Sequence, residues 1–456
     1  MDFNWPVVSV DDIKAPTKSS ISIGPFGSRM KSDCYVDDGI PVIRGNNLSH
    51  SKSFVGDFVY ISPEKADELA SSNVFAGDLV FPHRGNIGEV GIVPADKPRY
   101  ILSTSLMKLT VDQKKVDPLF LFYFFRSTKG RYELLKNASQ VGTPGIATPL
   151  TSLKSIQLKL PSLSEQRAIA HIIGTLDDKI ELNHQINQTL EAIAQAIFKS
   201  WFVDFEPVKA KIAAFEAGED AEDVTRAAMS AISGKTCEEL DQLQAEQPDN
   251  YTQLKTTAEL FPASMQDSEL GEIPKGWEVK KVNEILELAY GKPLKEDVRL
   301  PGNIPVYGSN GQIGWHNQKL VDGPGIVVGR KGNPGTVTWV HMHFYPIDTT
   351  FYVIPKGSVK SLYYLLYALK KQDLPSLAAD SAVPGLNRNI VYMNKIIVPH
   401  ISTLDLFDVY LNNIHQKIQV NKEQSRVLGS IRDFILPKLL SGELSVEAAK
   451  LAEEEG

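Results

Sequence analysis

Four places in the chain carry residue types with chemical potential. Ser233-Gly-Lys-Thr236 resembles the end of a phosphate-binding loop, whose backbone amides and lysine would hold a nucleotide. Such a loop needs a glycine five residues before its Gly-Lys pair, and that position is Met229, so the stretch reads as a glycine ending a helix in a linker. His341-Met-His343 places two imidazoles on one side of a strand, but no cysteine and no helix with paired histidines completes a metal set. Asp267 with Glu278 and Lys280 has the carboxylates and lysine of a metal nuclease, yet the other copy of this segment is the apolar Val7-Val8-Ser9, which favours an exposed strand face. Gly323-Pro-Gly-Ile-Val-Val-Gly329 is glycine-rich without opening a helix after a strand, so it reads as a turn and not a dinucleotide site. No Asn/Asp-Pro-Pro-aromatic motif of an adenine methyltransferase occurs. No catalytic centre emerges, and neither a metal nor a cofactor is expected on this chain.

The chain of 456 residues exceeds one ordinary core and implies two or three domains. No apolar run approaches the ~18 residues of a membrane span, and the first residues lack the pattern of a secretory signal. Only Cys34 and Cys237 occur, which fits a reducing cytoplasm. The net charge of −7 is unevenly spread: residues 216–249 hold ten acidic side chains against Arg226 and Lys235, a net of −8, leaving about +1 elsewhere. A uniformly basic DNA-coating protein is excluded, while local basic surfaces are not.

The elements that must position any site come in duplicate. Trp5-Pro-Val-Val-Ser-Val10 returns as Trp277-Glu-Val-Lys-Lys-Val282, and Gly39-Ile-Pro-Val-Ile43 as Asn303-Ile-Pro-Val-Tyr307. Arg84-Gly-Asn-Ile-Gly-Glu-Val90 returns as Lys331-Gly-Asn-Pro-Gly-Thr-Val337, Tyr100–Ser105 as Tyr345–Thr350, and Thr143-Pro-Gly-Ile146 as Val383-Pro-Gly-Leu386. Five echoes in one order define an internal repeat. Each copy reads as strands and turns followed by a helix, at Pro118–Arg126 and Ser361–Lys371, giving two similar α+β domains over 1–162 and 275–400.

A long helix follows each copy, over 163–203 and 401–442, each opened by a proline and a Ser-x-x-acid capping box, Ser162–Glu165 and Ser402–Asp405. In the first, Ile169, Leu176, Asn183, Leu190 and Ile197 form one heptad row, and Ile173, Ile180, Asn187, Ala194 and Trp201 the other. An offset of 238 gives Phe407, Ile414, Asn421, Leu428 and Ile435, with Leu411, Ile418, Ser425, Arg432 and Leu439. These rows are a coiled-coil signal. Asn183, Asn187, Asn421 and Ser425 lie at the centres of the seams, where polar pairing fixes register because a slip would bury unpaired amides. Parallel and antiparallel packing both align them; domain order favours antiparallel. At about 38 residues each the helices would span roughly 57 Å and hold the domains at a fixed distance. Residues 204–274 form an acidic helical connector with linker around Pro248 and Pro262, and 443–456 an acidic tail.

Two modules on one scaffold suit a bipartite target, as when paired DNA readers address two half-sites. The chain resembles the specificity subunit of a Type I restriction-modification system. The resemblance rests on Gly24-Pro-Phe-Gly-Ser28, Leu160-Pro-Ser-Leu-Ser-Glu-Gln-Arg167, Asp178-Lys-Ile-Glu-Leu-Asn183 and Ala196-Ile-Phe-Lys-Ser-Trp-Phe202. Glu269-Leu-Gly-Glu-Ile-Pro-Lys-Gly-Trp277 and Leu436-Pro-Lys-Leu-Leu-Ser-Gly442 complete it. It implies two target-recognition domains that each read half of a split, asymmetric sequence in double-stranded DNA, joined by an antiparallel two-helix spacer. It also implies docking of two methyltransferase subunits that use S-adenosylmethionine, and motor-nuclease restriction subunits that use ATP and Mg.

Loops with Arg or Lys beside Gly and Asn approach phosphates closely and reach base edges. The candidates for DNA contact are Arg29, Lys31, Arg44, Asn46, Asn47, His83, Arg84 and Asn86 in the first domain. Those in the second are Asn310, Arg330, Lys331, Asn333, Arg388 and Asn389. Because the two targets should differ, residues that differ between copies are better readers than the shared Gly85-Asn86 and Gly332-Asn333, which also suit plain turns. Two rival functions are a non-catalytic coiled-coil scaffold with two protein-binding modules, and a nuclease using Asp267, Glu278 and Lys280.

Overall fold

The computed structural model describes residues 5–27, 29–49, 51–139, 143–378 and 385–446. Ser28 of the Gly-Pro-Phe-Gly-Ser motif, Val383 and Pro384 of the last repeat, and most of the acidic tail lie outside the described residues. The chain divides into two compact units, Met1–Gln185 with Lys422–Gly456, and Ile186–Asn421.

In the first unit a four-stranded sheet runs Ile21–Ile23, Leu106–Leu109, Leu79–Pro82, Gly91–Ile92, beside a five-stranded sheet centred on Ile40–Ile43. In the second unit Leu286–Tyr290, Thr350–Pro355, Gly325–Gly329 and Val337–Val340 take the same order. The repeated Ile-Pro-Val segments behave alike: Val42 pairs in parallel with Ile101, and Val306 in parallel with Tyr345. The first strand of each copy pairs antiparallel with the last, Val7–Ser9 with Gln157–Lys159 and Glu278–Lys281 with Lys395–Val398. The duplicated sequence therefore encodes a duplicated α+β topology.

The helix of each domain forms as its sequence demands. Asp117 caps Pro118–Arg126 by accepting from the Leu119 and Phe120 amides, with proline at the first helical position, where its missing N–H costs nothing. Ser361 caps Leu362–Lys371 through the Tyr364 amide. Both helices are apolar on most sides and lie in the core.

The long helices span Leu163–Phe202 and Ile401–Ser441. Within the first unit Asn183 Nδ2 donates to Gln424 Oε1 at 2.9 Å and Ser425 Oγ at 3.3 Å, while Asp177 accepts from Arg432 at 2.7 Å. Rising numbers on one helix meet falling numbers on the other, so the segments are antiparallel. Within the second unit Asn421 Nδ2 donates to Asn187 Oδ1 at 2.9 Å, and Trp201 meets Phe407 and Tyr410, the same sense.

The Ser162 capping box forms, with Glu165 Oε2 taking the Ser162 amide at 3.0 Å and Ser162 Oγ the Glu165 amide at 3.3 Å. Its expected counterpart does not. The second helix starts at Ile401, one residue before Ser402, and the Ser402 amide faces His400 Nδ1 at 3.4 Å. Gln166 and its counterpart Leu404 also differ: Gln166 bonds the backbone of Pro161, Lys115 and Asp117, whereas Leu404 joins the apolar core.

The connector holds four helices, Glu206–Glu216, Ala221–Ser233, Cys237–Glu246 and Pro248–Glu259, followed by a hairpin of Met265–Ser268 and Gly271–Pro274. Pro248 opens a helix instead of marking linker, because a proline is tolerated in the first turn. The Ser233-Gly-Lys-Thr236 stretch is a helix end and a helix start: Gly234 adopts φ +70°, and Thr236 forms a capping box with Glu239. Gly325–Gly329 is a buried strand and not the expected turn; a Cβ at Gly325 would lie 2.7 Å from the Phe344 ring, so the glycine admits that ring against the backbone.

Candidate nucleic-acid interface

In the first domain the loops bearing the candidate residues meet on the segment 102–105. His83 N donates to Ser105 O at 2.9 Å, Ser103 N to Ile43 O at 2.9 Å, and Ile146 N to His83 O at 3.0 Å. Gly24 packs so tightly there that a Cβ would lie 1.9 Å from Ser103 O. In the second domain Arg330 N and Lys331 N donate to Thr349 O, Ile347 N to Tyr307 O, and Leu386 N to Arg330 O. A Cβ at Gly291 would lie 2.1 Å from Ile347 O. Bridges join Arg84 to Gly145 and Lys331 to Gly385, so the third and fifth sequence echoes are partners in space.

The shared Gly-Asn pairs make turns. Gly85 and Gly332 have φ of +81° and +83°, Gly88 and Gly335 +87° and +83°, a region that favours glycine. Around these turns Arg29, Lys31, Asn46, Arg84 and Asn86 are exposed in the first domain, and Asn310, Lys331, Asn333 and Asn389 in the second. Arg44, Arg330 and Arg388 are half-buried.

Two candidates are corrected. Asn47 is fully buried; its Nδ2 donates to Val55 O and Asp57 O, and its Oδ1 accepts from the Arg44 amide, so it braces the 44–57 loop. His83 is buried with Nε2 at 3.2 Å from Thr104 O, and burial pushes its pKa down, which favours a neutral ring facing inward. Arg44 is partly committed, donating to Asp57 O at 2.7 Å.

The second domain holds a cluster that motif reading missed. The guanidinium carbons of Arg330 and Arg388 lie 4.9 and 4.5 Å from the centre of the Tyr290 ring. Arg330 Nη1 donates to Asp348 O and Arg388 Nη1 to Leu288 O, both at 3.1 Å. Both arginines were candidates and Tyr290 was not. Its only sequence signal is an aromatic just before Gly291, where the first copy has Ile23 before Gly24. Phe26, also missed, stands 77% exposed in the Gly-Pro-Phe-Gly loop.

The residues of the rival chemistries do not assemble. Glu278 pairs with Lys280 at 2.7 Å along one strand, while Asp267 lies on the preceding hairpin opposite Glu272. His341 Nδ1 accepts from Trp339 Nε1, and His343 sits 3.2 Å from Asp322. Among the described residues no three His, Cys, Asp or Glu side chains converge as a metal site, and no helix is long and apolar enough to cross a membrane.

A duplicated α+β domain, each copy followed by one of two antiparallel helices and presenting a loop cluster with basic and amide side chains, defines a two-site recognition protein. Residues 26–192 and 274–422 match the Type I restriction modification DNA specificity domain, and the chain belongs to that family. It is 34% identical over 411 residues to the Type I restriction enzyme HindI specificity subunit of Haemophilus influenzae, spanning 82% of this chain and 88% of that one. It is 26% identical over 477 residues to the MjaIX specificity subunit of Methanocaldococcus jannaschii, spanning 97% and 94%. The crystal structure of a Type I restriction-modification S subunit from M. genitalium shares the fold, with a TM-score of 0.53 at 17% identity over 96% of both chains.

Proposed function

We propose that this chain is the non-catalytic, DNA-reading subunit of a cytoplasmic Type I restriction-modification complex. Its first domain reads one half of a split, asymmetric target and its second domain the other. Two methyltransferase subunits carry S-adenosylmethionine, and motor-nuclease restriction subunits carry ATP and Mg; this chain binds no cofactor of its own. The Asn183–Ser425 and Asn187–Asn421 pairs hold the spacer helices in register.

The observation that carries the reading is the loop cluster built twice on one frame. The residues that make the frame repeat, and the side chains it displays do not: Ile23, His83 and Pro149 stand where Tyr290, Arg330 and Arg388 stand in the second copy. The test is co-expression with the methyltransferase subunit and genome-wide mapping of adenine methylation. A split motif appearing only with this chain, one half of which changes when residues 1–162 are exchanged, is the expected result. A soluble complex of both proteins without new methylation would favour the scaffold reading.

A further inference from the structure

Two arginines share one aromatic ring in the second domain. Like charges repel, and Asp348 accepts from Arg330 through its backbone carbonyl. What holds the pair is the ring of Tyr290, itself 46% exposed and packed on Phe351 at 5.0 Å, together with one backbone carbonyl for each guanidinium. Each carbonyl consumes one Nη1 donor and leaves the other edge of the guanidinium fork for an outside acceptor. A planar fork held this way loses little freedom when it binds. The natural complement is an electronegative, flat acceptor with two atoms in line. The O6/N7 edge of guanine in the major groove is that acceptor.

The trio belongs to one copy only. Tyr290 corresponds to Ile23 because each precedes the close-packed glycine, and Arg330 to His83 because each precedes the bridged Arg84 or Lys331. Arg388 corresponds to Pro149, because each is the first residue of the short helix that follows the bridged Gly145-Ile146 or Gly385-Leu386. A phosphate-binding element common to both half-sites would be expected in both copies. A base reader would not.

From this, and resting on the function proposed above, we infer that Tyr290, Arg330 and Arg388 form the guanine-reading element of the second half-site, with Tyr290 positioning the two arginines. The test uses the full chain with its methyltransferase subunit and the mapped methylation motif. Arg330→Gln, Arg388→Gln and Tyr290→Leu should make guanine positions of one half degenerate, with discrimination falling about 10- to 100-fold, and leave the other half intact. Arg388→Lys keeps the charge and the fold but not the fork, and should relax the motif like Arg388→Gln. If the lysine variant restores normal methylation and the glutamine variants lower it evenly at every site without altering the motif, the arginines hold phosphates and the inference is wrong. A wild-type complex that yields no split motif would instead refute the proposed function, and this inference with it.

Discussion

Replacing Asp177 by alanine should destabilise the first unit by about 3 kcal/mol. The carboxylate is 7% exposed and accepts from Arg432 Nη1 at 2.7 Å and Arg126 Nη1 at 3.1 Å, which ties both long-helix segments to the helix Pro118–Arg126. Removing it leaves two guanidiniums, 13% and 21% exposed, facing each other without a counter-charge. Breaking a buried pair costs roughly 3–5 kcal/mol, and the lower end applies because Arg432 retains Asp433 at 2.8 Å. For a unit of about 220 residues, roughly 2–4 °C per kcal/mol gives a fall of about 6–12 °C in its transition. Hydrogen exchange read by mass spectrometry separates local from general loss: amides in 118–126 and 425–440 should exchange about 100-fold faster, and those in 362–371 unchanged. Substituting Leu for Asp177 and Met for both arginines should recover most of the stability, since a buried ion network exchanged for apolar packing is often neutral. A loss below about 1 kcal/mol for Asp177→Ala would refute the reasoning and class the cluster as a screened surface pair.

Three further outcomes are expected. Ser162→Ala should cost about 1 kcal/mol in thermal unfolding and Ser402→Ala almost nothing, because only the first serine caps its helix. Asn421→Ala should cost about 1–2 kcal/mol by leaving Asn187 Oδ1 unpaired, while leucine at both positions should raise the melting temperature. Asp408 is held at a pKa of about 6 by burial, against an ordinary 3.8, with the Ser361 hydroxyl bond pulling the other way. The proton is thus favoured by the fold: its stabilisation is complete below about pH 4 and is lost as pH rises through about 6. Asp408→Asn should then stabilise the second unit at pH 7.5 by about 1 kcal/mol, after discounting for the water that reaches the group, with the gain vanishing near pH 4 in paired melting curves.

Much of the fold was legible because its signals are local. The Asp117-Pro118 start and the run of aromatics after it determine a buried helix without outside help, and the seams announce themselves by period. Arg432 was placed in a heptad row by its spacing. Asp177 was not, because it lies outside both rows: near its globular domain the first helix is buried on two sides, against the second helix and against Pro118–Arg126. The Ser402 box failed for a similar reason of scale. Four residues specify a possible cap, but the strand ending at Val398 and the turn through His400 decide where the helix begins.

The site was half legible, and the division has a physical cause. Type and neighbourhood selected Arg330, beside a tight turn, and Arg388, which opens the helix Arg388–Met393, and the same rule selected Asn47 and His83, which the loops use internally. A polar side chain in a tight loop has two possible destinations, the loop's own backbone or the solvent, and composition does not distinguish them. The internal repeat does. Gly85 and Gly332 recur because both copies need a positive φ at that turn, and Arg84 and Lys331 sit at a bridge that both copies make. Ile23 against Tyr290, His83 against Arg330 and Pro149 against Arg388 do not recur, although the backbone at those places is built alike. Where a duplicated frame is kept and its side chains are changed together, stability gives no reason for the change, and a difference in what the two copies must recognise does.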